Sequence, residues 1–61
     1  MIRNILLVED ERGIALLLKT QLERRGYVVH AAGDGLQALD VLKNETVDLV
    51  VTDVVMPNMD G

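Results

Sequence analysis

The sequence predicts a small α/β domain in which three parallel strands alternate with two helices, in the order β-α-β-α-β. Three short segments have the length and the apolar, partly β-branched composition of buried strands. Two amphipathic segments lie between them, each with a residue that favours a helix end. Right-handed crossover helices join parallel strands, so if the first strand is central, the second and third strands lie on either side of it and the two helices on opposite faces of the sheet.

The first strand and the first helix are predicted from the first 26 residues. Residues 5–8 (Ile-Leu-Leu-Val) form a continuous apolar run that ends at charged residues, which is typical of a strand buried on both faces. Four apolar residues then recur at helical spacing: Ile14, Leu17, Leu18 and Leu22. Gly26 follows two arginines and is a typical helix stop, so we predict a helix over residues 12–25.

The remaining elements follow in the second half of the sequence. Residues 27–31 are more mixed in polarity, which indicates a strand near a sheet edge. Asp34 is a favoured N-cap for a helix through residues 36–42. Residues 48–53 (Asp-Leu-Val-Val-Thr-Asp) form the third strand, and Pro57 prevents its simple continuation.

Composition and charge exclude several classes of function. The 61 residues include no cysteine and one histidine, and the formal net charge is -4. An acidic chain repels nucleic acid and anionic membranes, so we expect no direct contact with either. No apolar run approaches the ~20 residues of a membrane span, and the amino terminus does not resemble a signal peptide. We therefore expect a cytoplasmic location.

Acidic residues follow two strands that the topology makes neighbours. Glu9 and Asp10 end the first strand, and Asp53 ends the third. The carboxyl ends of these strands flank the point where the strand order reverses, which is where open α/β sheets bind ligands. Because their negative charges repel, clustered carboxylates must have a raised pKa, contact solvent or bind a cation. A site with only oxygen ligands suits Mg²⁺.

Such a site is suited to phosphoryl transfer. Asp53 is the candidate nucleophile because it follows an apolar strand, whereas the adjacent Glu9 and Asp10 are better placed to hold a metal. Each acidic stretch also has a simpler explanation when taken alone. Residues 9–11 are typical of the first turn of a helix, where the helix dipole favours acids, and Asp53 is typical of the start of a loop.

Two other enzyme classes are less consistent with the sequence. An aspartate-nucleophile phosphohydrolase usually has a second acid two residues after the nucleophile, and that position is Val55. A dinucleotide-binding domain needs Gly-x-Gly-x-x-Gly after the first strand, and this sequence lacks it.

The sequence resembles the receiver domains of bacterial two-component response regulators. The resemblance is carried by residues 5–11, 26–29, 35–39 and 48–61, of which the last is the most specific, with Met-Pro and Asp-Gly after Asp53. It implies a flavodoxin-like doubly wound fold, with the order 2-1-3 for these three strands. It covers essentially all 61 residues but only the N-terminal half of the family's domain, so we expect residues 1–61 to be a truncated receiver domain.

The resemblance also implies a role for each site residue. Asp53 is expected to be the phosphoacceptor, which takes its phosphoryl group from the phosphohistidine of a sensor histidine kinase. The Mg²⁺ ligands are expected to be Asp10, Asp53, the backbone carbonyl of Val55 and, through water, Glu9. Pro57 and Gly61 are expected to shape the loop beside the site.

The same resemblance indicates which functional residues of the family are not found among these 61 residues. The family's catalytic Ser or Thr and its Lys cannot be assigned within these 61 residues, so we do not expect efficient enzymatic activity. The third strand is also left with an unpaired apolar edge, which predicts a homodimer or a swapped oligomer. The alternative hypothesis is a folded, dimeric structural or interaction fragment with a vestigial acidic site.

Overall fold

The structure is a computed structural model, and it describes residues 1–52. Within this range, three strands and two helices alternate along the chain: β1 (Asn4–Val8), α1 (Arg12–Arg24), β2 (Val28–Ala32), α2 (Gly35–Asn44) and β3 (Leu49–Thr52). The strands form a parallel sheet in the order β2-β1-β3. The predicted fold class and strand order are therefore confirmed.

The core lies on the central strand, β1. Ile5, Leu6 and Leu7 are at most 1% exposed. Leu6 packs with Ala38 of α2, whereas Ile5 shares a groove with side chains of α1. Because successive side chains of a strand point to opposite faces, the two helices lie on opposite faces of the sheet.

The helix ends explain where the structure differs from the predicted boundaries. The helix α1 ends at Arg24, one residue before the predicted end, because Arg25 is its C-cap and Gly26 follows with a φ of +96°. Such a φ favours glycine, which has no Cβ to clash with the backbone. The helix α2 begins at Gly35, next to its N-cap Asp34, and continues to Asn44.

Asp48 joins the beginnings of β1 and β3. Its Oδ2 accepts hydrogen bonds from the backbone N–H groups of Arg3, at 3.0 Å, and Asn4, at 2.9 Å. Its own N–H donates to the carbonyl of Asn4 at 2.8 Å. The N–H of Asn4 and then that of Arg3 hold the pKa of the Asp48 carboxyl below its ordinary value, because they stabilise the charged form.

The helices bury less of their apolar surface than the periodicity predicts. In α1, Leu18 and Leu22 are half-buried, but Ile14 and Leu17 are 44% and 57% exposed. In α2, Ala38 is buried while Leu39 is exposed. Within residues 1–52, both helices contact β1 and β2, and neither contacts β3. The apolar stripes are thus wider than the surface that these two strands offer.

No helix in residues 1–52 combines the length and the apolar character that crossing a bilayer requires.

Candidate functional site

The acidic pair sits where β1 ends. The N–H of Glu9 donates to the carbonyl of Ala32 at 2.9 Å, which extends the pairing of β1 with β2 by one residue. Glu9 is 6% exposed, whereas the next residue, Asp10, is exposed. Two adjacent carboxylates therefore differ in their surroundings: one is held inside the fold and the other faces solvent.

In the turn from β1 into α1, the three acidic residues 9–11 make different contacts. Oε2 of Glu9 accepts a hydrogen bond from the N–H of Glu11 at 3.0 Å. Glu11 is the N-cap of α1, and its Oε1 accepts from the N–H of Gly13 at 3.2 Å. Glu11 therefore lies at the start of α1 as its N-cap, whereas the first turn itself contains no acidic residue, so the first-turn explanation is wrong for all three acids. Asp10 has neither contact, and its exposed carboxylate remains the candidate metal ligand of this turn.

The strand register brings the ends of β1 and β3 side by side. Val8 lies opposite Thr52, the last described residue of β3. The predictions for Asp53, Val55, Pro57 and Gly61 lie outside the described residues. Of the predicted site, the structure thus places Glu9 and Asp10, at the end of the strand that neighbours β3.

The described residues provide part of an oxygen-ligand set. Residues 1–52 contain no cluster of three acidic, histidine or cysteine side chains that could hold a metal. The exposed carboxylate of Asp10 is of the type that Mg²⁺ takes directly while it keeps several waters. Oε2 of Glu9 accepts a hydrogen bond from the Glu11 N–H. This contact fits the expectation that Glu9 binds Mg²⁺ through water and not directly. The residues present therefore fit Mg²⁺, with further ligands expected from residues after Thr52.

A cavity of about 430 Å³ opens beside the acidic pair, between α1 and the end of β2. Its floor is formed by small residues, Ala31, Ala32 and Gly33, and Arg12 and Lys19 of α1 lie on its wall. This cavity was not predicted from the sequence. The one feature of the sequence that could have indicated this cavity is the run of small residues after His30. A parallel strand that ends in small side chains leaves space above its end.

Comparisons with known proteins agree with this architecture. The family model described as the response regulator receiver domain matches residues 5–61. The alkaline phosphatase synthesis transcriptional regulatory protein PhoP of Bacillus subtilis is 48% identical over all 61 residues, which are 25% of its length. The sporulation initiation phosphotransferase F of the same organism is 44% identical over 61 residues, or 49% of its length.

A solved structure shows the same fold. The chemotaxis response regulator CheY4 of Vibrio cholerae superposes on 97% of this chain with a TM-score of 0.82 and 32% sequence identity. This chain covers 49% of that protein, so it spans about half or less of the relatives described here. With the receiver-domain model matching 57 of its 61 residues (5–61), the chain belongs to the response regulator receiver domain family.

Proposed function

We propose that this chain is the phosphoacceptor module of a two-component response regulator, which receives a phosphoryl group from a sensor histidine kinase on Asp53. The observation that carries the proposal is the register of β1 and β3. Val8 lies opposite Thr52, so Glu9 and Asp53 are the residues that immediately follow two paired strand positions. Membership of the receiver domain family supports the same assignment.

The proposed reaction is a direct displacement at phosphorus. A carboxylate oxygen of Asp53 forms a bond to phosphorus while the bond from phosphorus to the donor histidine nitrogen breaks. The products are an aspartyl phosphate and the free histidine, which keeps the electron pair of the broken bond. Mg²⁺, when bound, neutralises charge on the phosphoryl oxygens.

The chain's own residues have distinct parts in this proposal. Asp10 binds the ion directly, together with Asp53 and the carbonyl of Val55. Glu9 acts through water, and its hydrogen bond to the Glu11 N–H holds it in place. Pro57 and Gly61 shape the adjacent loop. A cytoplasmic location and no direct contact with nucleic acid belong to the same proposal, as expected for an acidic signalling module.

We expect slow phosphorylation in this 61-residue chain. The receiver family's hydroxyl residue and Lys, which contact the phosphoryl oxygens, are not assigned here. Loss of one such donor typically slows a reaction about 10²–10³-fold. Incubation with a small phosphodonor and Mg²⁺, followed by intact-mass measurement, should show little modification. Rapid, stoichiometric modification of Asp53 would contradict this expectation.

The second candidate function is a dimeric structural or interaction fragment with a vestigial acidic site. It is favoured by β3, which no helix contacts within the described residues and which pairs on one side only. An apolar strand of this kind recruits a partner, either by edge pairing or by exchange of elements between chains.

A Mg²⁺ titration by calorimetry discriminates between the two functions. The phosphoacceptor proposal expects saturable binding that Asp53→Asn weakens at least about tenfold, because the variant loses a charged ligand. Glu45→Gln is the matched control, since it removes one carboxylate at the far end of α2. If the unsubstituted chain and both variants bind Mg²⁺ equally, or not at all, the acidic site is vestigial.

A further inference from the structure

Two hydrogen bonds of the same kind follow each other in the turn from β1 into α1. Oε2 of Glu9 accepts from the N–H of Glu11 at 3.0 Å, and Oε1 of Glu11 accepts from the N–H of Gly13 at 3.2 Å. Each bond joins a glutamate side chain to the backbone two residues further along the chain. Because the second bond caps α1, a single residue, Glu11, links the beginning of the helix to the carboxylate of Glu9.

Backbone hydrogen bonds hold both neighbours of Asp10. The N–H of Glu9 donates to the carbonyl of Ala32 at 2.9 Å. The carbonyl of Glu11 accepts from the N–H of Ala15 at 2.9 Å, which is the first hydrogen bond of α1. Asp10 is thus one exposed residue between a residue fixed to the sheet and a residue fixed to the helix. The direction of its side chain depends on the turn that these two neighbours define.

The cap of Glu11 determines how firmly this turn is held. Glu11 is an unusual N-cap, because this position is most often filled by Ser, Thr, Asp or Asn, which have shorter side chains. Its negative charge is favourable beside the positive end of the helix dipole. Without the cap, the first turn of α1 loses a side-chain acceptor and opens more readily. The N–H of residue 11 would then move relative to the carboxylate of Glu9.

We propose that Glu11 is a positioning residue of the acidic site. Its cap holds the first turn of α1, and this turn holds the N–H of residue 11 against Glu9, so that Asp10 is kept in place to bind Mg²⁺. Glu11 does not bind the ion itself. Residues that hold metal ligands in place typically contribute about 10–100-fold to metal affinity. The inference rests on the proposed phosphoacceptor function for the identity of the metal, whereas the hydrogen bonds that carry it lie within the chain.

Two substitutions at position 11 separate the cap from the charge. Both remove the negative charge, but Glu11→Gln keeps an acceptor oxygen on a side chain of the same length, whereas Glu11→Ala removes the acceptor. In a Mg²⁺ titration by calorimetry, Glu11→Ala should weaken binding about tenfold, at the lower end of the range because Glu11 is exposed. Glu11→Gln should stay within about twofold of the unsubstituted chain, because solvent screens an exposed charge.

Amide hydrogen exchange in the metal-free chain measures the positioning directly. In the unsubstituted chain and in Glu11→Gln, the N–H of residue 11 should exchange more slowly than in an unstructured peptide, because the Glu9 carboxylate accepts it. In Glu11→Ala, this N–H should lose its protection. The N–H of Leu18, in the middle of α1, should remain protected in all three chains, which shows that the helix itself persists.

Asp34→Ala is the matched control for a purely structural role. Asp34 caps α2 as Glu11 caps α1, so this substitution removes the same charge and the same kind of cap. A loss of stability or of net charge alone would therefore weaken Mg²⁺ binding equally in Asp34→Ala and Glu11→Ala. We expect Asp34→Ala to keep the protection of the residue 11 N–H and to bind Mg²⁺ within about twofold of the unsubstituted chain.

Three outcomes of these experiments would overturn the inference. Equal Mg²⁺ affinity of Glu11→Ala and the unsubstituted chain would show that the cap positions no ligand. Equal weakening by Glu11→Gln and Glu11→Ala would show that the charge of Glu11 matters and its cap does not. An equal effect of Asp34→Ala would reduce the role of Glu11 to helix stability. If the unsubstituted chain binds no Mg²⁺, the proposed phosphoacceptor function fails, and exchange of the residue 11 N–H decides whether Glu11 holds the turn.

Discussion

At Asp48, a single carboxylate oxygen holds two backbone N–H groups at the beginning of β1. These donors, Asn4 first and Arg3 second, lower the pKa of the carboxyl. A lowered pKa in the folded state means that the charged form favours folding. This residue therefore anchors β3, the strand that no helix contacts among residues 1–52, to β1.

We expect Asp48→Asn to lower the urea midpoint at neutral pH, because the amide keeps an acceptor but loses the charge. The contribution of Asp48 is complete above the unfolded pKa, near 4, and is lost as pH falls through the lower folded pKa. The difference from the unsubstituted chain should thus be constant above about pH 5 and shrink in acid.

Urea unfolding at a series of pH values measures this dependence. Glu45→Gln is the control, since no hydrogen bond to that side chain occurs within residues 1–52. Our explanation of the Asp48 pKa would be wrong if Asp48→Asn and Glu45→Gln showed the same midpoint at every pH.

The acidic residues 9–11 show how far the roles of single residues can be predicted from the sequence. Their types predicted both a metal site and a helix start. The structure places Glu11 as the N-cap of α1, buries Glu9 and exposes Asp10, and the metal site stays a prediction. The sequence alone could not separate these roles, because the turn after β1 decides which carboxylate points inward.

At the scale of elements, the beginning of α2 was predicted well from local chemistry. Oδ1 of Asp34 accepts from the N–H of Gln37 at 2.8 Å, and Oε1 of Gln37 accepts from the N–H of Gly33 at 2.7 Å. Helix caps depend on neighbouring residues, so sequence predicts them. How much of a helix is buried depends on distant strands, so Ile14 and Leu17 of the predicted α1 stripe are exposed.

Asp34→Ala should destabilise the fold by about 1 kcal/mol, because the first turn of α2 loses a side-chain acceptor. Asp34→Asn should stay close to the unsubstituted chain, since Asn is an equally good N-cap. Thermal unfolding followed by circular dichroism measures both. Equal losses for the two variants would show that charge at this position matters more than the cap.

At the scale of the whole molecule, the alternation of strands and helices predicted the parallel sheet, and the resemblance to receiver domains implied its order 2-1-3. The register of β1 with β3 could not be predicted, because it is set by contacts between Asp48 and backbone groups at the beginning of β1, which lie far from Asp48 in sequence.

The central claim is that residues 10 and 53, which are 43 positions apart in sequence, share one metal site. Mn²⁺ prefers oxygen ligands as Mg²⁺ does and broadens nearby amide signals in NMR spectra of the labelled chain. Small additions should broaden the amides of Asp10 and Asp53 together and affect Asp48 far less, because Asp48 lies at the beginning of β1 and Asp10 lies beyond its end. Asp10→Asn should abolish both effects. Broadening at only one of the two positions, or at both in the presence of Asp10→Asn, would contradict the shared site.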